Sequence, residues 1–206
     1  PFSVHGIEPA ELLLLSPNMA QPPISLVPEQ GRWSLRPVRP GMGGYHLVLA
    51  RAVSGGEVRS AATAWSVPGK GPSPAQRFAA SGLGLEVRPL ALPEHNPYRE
   101  GDTRGFLVRF DGVPVGHAQL ILETENGTRS RIVTDGKGVG QVLFPRDFDP
   151  ADFDPQGGVA RTRKGYVVSA VLEKDGVRHV SAFNQVYYPD SLRDRNLGAG
   201  VGLLML

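Results

Sequence analysis

Histidine and aspartate are the residues of this chain whose types and spacing could do chemistry. There are five histidines, His5, His46, His95, His117 and His179, and no cysteine. Imidazole is a natural ligand for nickel, cobalt and copper, so His5, His95 and His117 are the candidate metal ligands. None of the five stands two or four residues from another. A site built from them must therefore be a composite across strands or domains, such as His95 with His117. The alternative is a set of ordinary exposed histidines.

The acidic stretch RDFDPADFDPQGG, residues 146–158, is the second candidate. Asp147, Asp149, Asp152 and Asp154 offer carboxylates at alternating positions, as a calcium loop does, without the glycine and the distal bidentate glutamate of an EF-hand. The competing reading has Phe148 and Phe153 pinning an otherwise solvated loop to the body of the protein.

Other chemistries find less. The absence of cysteine excludes disulfides, zinc–thiolate sites and thiol catalysis. There is no Gly-x-Ser-x-Gly elbow, and the glycine-rich stretch Gly41 to Gly44 leads into a strand instead of opening a helix. Glu123 and Glu125 sit at a strand end and read as surface residues. Arg161-Thr162-Arg163-Lys164 reads as a solvated basic run. Trp33, Trp65, Tyr187 and Tyr188 could stack on sugar rings, but they form no contiguous platform in sequence. A non-enzymatic protein is expected.

Charge points away from nucleic acid. The formal net charge is +2, with 22 basic residues against 20 acidic ones. The two signs are interspersed, unlike the clustered basic footprint of a nucleic-acid binder.

Positioning any site falls to β-strands. The chain has 206 residues with 26 glycines and 19 prolines and no collagen-like period, which reads as many short strands and turns. The turn dipeptides Asp111-Gly112, Asn126-Gly127, Asp135-Gly136 and Asp175-Gly176 separate alternating apolar runs. In the first half, ELLLLS at 11–16 reads as a strand, and Tyr45 to Val53 and Glu57 to Trp65 flank Ser54-Gly55-Gly56 as a hairpin. Residues 66–82, with their prolines and glycines, read as a linker.

The pattern predicts an all-β fold of two β-sandwich domains in tandem, of immunoglobulin or transthyretin-like kind. The expected bounds are an N-terminal β domain at 1–65, the linker at 66–82, a second sandwich at 83–189 and a tail at 190–206. By parity Phe106, Val108 and Phe110 share one face, Leu120 and Leu122 point inward, and His46 and His117 point away from the leucine-rich faces. The apolar tail reads either as frayed or as the start of a membrane anchor. A signal peptide is expected to be already removed or never present.

Leu85-Glu86-Val87-Arg88-Pro89-Leu90, then Asn96-Pro97-Tyr98 and Gly101-Asp102-Thr103, resembles a segment of an uncharacterised bacterial periplasmic family. That family is described as a periplasmic component of cobalt or nickel ABC transport. Asp111-Gly112-Val113-Pro114-Val115-Gly116-His117-Ala118 and Thr134-Asp135-Gly136-Lys137-Gly138 resemble further elements of it. Both also recur in carboxypeptidase-regulatory-like, transthyretin-like sandwiches. The resemblance covers roughly residues 83–189. It implies a secreted protein of the periplasm or cell envelope, a nickel or cobalt ion as cofactor, and a membrane transporter or other envelope protein as partner. The family's N-terminal histidine segment has no counterpart here beyond Val4-His5-Gly6. The alternatives are a structural or adhesion-type interaction module without a metal, and a carbohydrate-binding accessory domain.

Overall fold

Two-residue turns set the pitch of the fold. The computed structural model describes residues 11–29, 32–33, 43–80, 82, 84–92, 97–149, 151 and 162–190. Gly55-Gly56, Asp111-Gly112 and Asp175-Gly176 each hold both residues at positive φ, between 48° and 81°. That left-handed pair is what a type I′ hairpin requires. They join β5 (Gly44–Ser54) to β6 (Glu57–Val67), β8 (Thr103–Phe110) to β9 (Val113–Pro114), and β13 (Lys164–Lys174) to β14 (Val177–Tyr187).

The remaining strands are short. They are β1 (Glu11–Leu15), β2 (Ile24–Ser25), β3 (Pro28–Glu29), β4 (Arg32–Trp33), β7 (Leu85–Pro89), β10 (Gln119–Thr124), β11 (Arg129–Val133) and β12 (Val139–Leu143). The described part is almost entirely β, as the turn spacing predicts. One short helix, α1 (Ala75–Ala79), interrupts it.

An eight-stranded sheet runs β11-β10-β13-β14-β6-β5-β1-β2. Its centre is a parallel pair, β14 with β6, in register Ala182↔Ala61. The sheet therefore continues from the first half of the chain into the second. A smaller sheet runs β12-β8-β7, with β9 also on β8. β3 and β4 pair with each other.

One hydrophobic cluster takes side chains from both larger sheets. Leu47, Leu120, Leu122, Val168 and Phe183 come from the large sheet, and Leu85, Val87, Phe106, Val108 and Val142 from the small one. Each such side chain, fully buried, stabilises by about 1.5–3 kcal/mol. Rings dominate one end. Phe144 meets Tyr166 edge-on at 4.9 Å between centroids, and Tyr98 stacks on Tyr166 at 6.1 Å. Packing is close at Gly140 as well, where an added Cβ would stand 2.5 Å from a Leu120 methyl and force it to shift.

Three local expectations need correction. Asp135-Gly136 does not close a hairpin: β11 pairs with β10 and β12 with β8, so the turn carries the chain from one sheet to the other. The Asp135 carboxylate accepts the N–H groups of Lys137 and Val139, and positive φ falls on Gly138. Next, His46 is not an exposed histidine. Parity does turn it away from the main core, but that second face is covered too, by a smaller cluster of Leu12, Leu14, Val48 and Ala50 with Leu26, Trp33 and Trp65. Finally, part of the stretch 66–82 is built into the body. Phe78 joins the main core, and buried Arg77 donates to the carbonyls of Ser16, Asn18 and Gln21.

Candidate functional site

Among the described residues, those singled out for metal chemistry form no cluster that could hold an ion. His117 sits exposed on a turn with φ of 57°, its N–H bonded to the Thr134 carbonyl. Asp147 is half-buried and engaged by neighbouring side chains. Its carboxylate accepts hydrogen bonds from the Tyr187 hydroxyl, from Thr124 Oγ1 at 2.8 Å and from Asn126 Nδ2 at 3.4 Å. Burial alone would raise the Asp147 pKa, but these donors outweigh it and hold the carboxyl below its ordinary value. Next to it Phe148 is buried against Tyr187. Asp149 is exposed and caps the Ala151 N–H. His5, His95, Asp152 and Asp154 lie outside the described residues. Among the described residues no group of three or more His, Asp or Glu could hold a metal ion.

The family-like elements do meet. Thr134 Oγ1 accepts the Ala118 N–H at 2.8 Å and donates to the Val115 carbonyl at 2.9 Å. These two elements are thus tied to each other, which accounts for them as packing.

Charge gathers elsewhere, on β7 and β8. Their antiparallel register sets Glu86 opposite Arg109 and Arg88 opposite Leu107. Period-two alternation puts Glu86, Arg88 and Arg109 on the face away from Val87 and Val108. An outward face would normally be wet. Here α1 and the residues after it cover it, and each of the three residues is only 5% exposed.

The bonding inside the cluster is dense. Glu86 Oε1 accepts Arg88 Nη2 at 2.7 Å, and Oε2 accepts Arg109 Nε at 2.7 Å and the Gly82 N–H at 3.0 Å. Arg109 also donates Nη1 to the Ala79 carbonyl at 2.7 Å and Nη2 to the Ala80 carbonyl. Arg88 gives Nη1 to the Val87 carbonyl at 3.3 Å, while its Nε is buried with no hydrogen-bond partner.

One carboxylate thus serves two guanidiniums. Burial pulls the Arg88 pKa down; Glu86 opposes that and Arg109 adds to it. An arginine stays charged under such pressure. The cluster therefore holds one surplus positive charge where water is scarce, and that favours an anion.

Two clefts reach this charge. One, of about 420 Å³, is walled by Phe78, Leu90, Leu92 and Leu107, with Arg88 and Arg109 in its lining. The other, of about 300 Å³, lies beyond β7 among Leu13, Leu15, Leu49 and Leu85, and includes Glu86 and Arg88. Arg88 is common to both. Small apolar clefts with a few convergent polar groups are the usual form of a ligand site.

Sequence reading passes over all three charged residues, because an alternating strand assigns them to solvent. One signal was available. In Phe106-Leu107-Val108-Arg109-Phe110, Leu107 breaks strict alternation on the outer face, a sign that this face is partly covered.

Compared with known proteins, the chain matches no protein-family model and no curated protein.

Proposed function

We propose that this chain is a non-enzymatic binding module of the cell envelope. In this reading the two larger sheets close as a transthyretin-like β-sandwich, with the first-half strands β6, β5, β1 and β2 extending the larger sheet. The shared hydrophobic cluster favours that closure. The envelope location rests on the resemblance of the Leu85 to Thr103 stretch, and so does an accessory role in nickel or cobalt uptake beside a membrane transporter. The described donors do not converge on an ion, so no step is routed through a metal. Calorimetric titration with Ni²⁺ and Co²⁺ tests that role separately, and heat of micromolar binding supports it.

The observation that carries the binding reading is the surplus guanidinium charge of Arg88 in the lining of an apolar cleft. A binding module needs a concave, pre-formed site with few polar groups, each placed to orient a ligand. The test is a thermal-shift panel of small anionic, neutral and cationic compounds on the wild-type chain and on Leu107→Trp, which fills the cleft. A ligand at a hundred times its Kd stabilises the folded state by about 2.7 kcal/mol. The expected result is a rise in Tm for some compounds on the wild type that Leu107→Trp abolishes. No rise with any compound contradicts the reading.

A further inference from the structure

The charge and shape of the cleft specify its ligand more narrowly. We propose that the Arg88 cleft binds a medium-chain monocarboxylate: a single carboxylate on Arg88 and an aliphatic body along Phe78, Leu90, Leu92 and Leu107. This rests on the binding reading above and names the ligand class for the same site.

Donor accounting places the head group. All three nitrogens of Arg109 are engaged, Nε on Glu86 and the two Nη on the carbonyls of Ala79 and Ala80. Both oxygens of Glu86 are engaged as well. Arg88 Nε is the guanidinium nitrogen of this cluster that has no hydrogen bond at all, in a residue only 5% exposed. A planar carboxylate is the natural partner of a guanidinium edge.

Charge accounting sets the valence. Glu86 contributes one negative charge against two positive ones, so one further negative charge makes the cluster neutral. A dianion such as a phosphate monoester would bring an extra negative charge close to the Glu86 carboxylate, where burial strengthens the repulsion. The Glu86 carboxylate would attract a cation, but the two guanidiniums of Arg88 and Arg109 together repel it more strongly, so cations are rejected as well.

The walls set the body of the ligand. Phe78, Pro89, Leu90, Leu92 and Leu107 offer carbon on several sides, and the cleft holds about 420 Å³. Among the described residues, Ser73 brings the only side-chain hydroxyl to that lining, and the Ala75 N–H donates to it at 3.3 Å. An apolar chain without further polar groups fits these walls.

The test is titration calorimetry with sodium octanoate, 1-octanol and octyl phosphate on the wild-type chain and two variants. Arg88→Met removes the surplus charge and leaves Glu86 paired with Arg109. Ala91→Glu, at an exposed side chain in the lining of the cleft, adds a negative charge without entering the core; it serves if Arg88→Met fails to fold by circular dichroism. Octanoate is expected to bind the wild type at least tenfold more tightly than octanol or octyl phosphate. Each variant is expected to weaken octanoate at least tenfold and to leave octanol unchanged. Equal affinity for octanoate and octanol, or unchanged octanoate binding in the variants, overturns the carboxylate assignment while the binding reading stands. Failure of all three compounds to bind overturns the monocarboxylate assignment, and a thermal-shift panel with no rise for any compound overturns the binding reading as well.

Discussion

Ser181 Oγ accepts the Val87 backbone N–H at 3.2 Å, fastening the free edge of β7 to the middle of the large sheet. Ser60 does the same from β6, donating to the Leu85 carbonyl at 3.1 Å. The Val87 carbonyl takes Arg88 Nη1, and Pro89 has no N–H to leave open. An exposed strand edge invites pairing with another chain. Here the edge is closed by side chains, and the cleft beside it stays free.

Removing that fastening leaves a buried N–H without a partner. Ser181→Ala is expected to cost about 1–3 kcal/mol, read as a lower urea midpoint with an unchanged m-value. A loss near zero would show that the Val87 N–H finds water.

The buried charges should respond asymmetrically. Glu86→Gln strands two guanidiniums without a counter-charge and is expected to cost about 3–5 kcal/mol. Arg88→Met leaves Glu86 held by Arg109 and the Gly82 N–H, and is expected to cost less than about 2 kcal/mol. Denaturation midpoints of the two variants check the order, and a reversed order refutes the charge accounting.

Three buried tyrosines predict an alkaline limit to stability. Burial pushes Tyr98 up to about 12. It also raises Tyr166, and it raises Tyr187, where the Asp147 bond adds to the effect. In each the folded pKa lies above the unfolded value of about 10. Their stabilisation is therefore full below pH about 10 and is lost as pH rises through the folded values. Phenolate absorbance should show Tyr98, Tyr166 and Tyr187 titrating late, together with a falling Tm. Titration of these three near the unfolded value would contradict this.

His46 sets a weaker limit on the acid side. Burial lowers its pKa, partly offset by the 3.4 Å contact of Nδ1 with the Gly44 carbonyl. The folded value lies below the unfolded one, so its stabilisation is full above pH about 6.5 and is lost as pH falls through the folded value. His46→Phe should flatten that limb of the Tm–pH curve. An unchanged slope would place the acid sensitivity elsewhere.

Strands and turns were legible because both are local. Alternation located β8 and β10, and the Gly55-Gly56 and Asp175-Gly176 pairs marked the β5–β6 and β13–β14 hairpins. What was not legible depends on partners distant in sequence. Asp135-Gly136 announces a reversal but not which sheet the next strand joins. Nothing near Ala61 signals that it will lie beside Ala182 in parallel. The candidate site was missed for the same reason, since Glu86 and Arg88 alternate as solvent residues do. Only the later docking of α1 and its flank removes their water.

The most direct measurement is amide chemical-shift mapping by NMR on the whole chain as small anions are added. The binding reading predicts that the largest saturable shifts fall on Ala79, Arg88, Leu107 and Arg109, around the cleft, and that Leu107→Trp erases them. Shifts that are absent, non-saturable, or centred on the exposed His117 turn would contradict it.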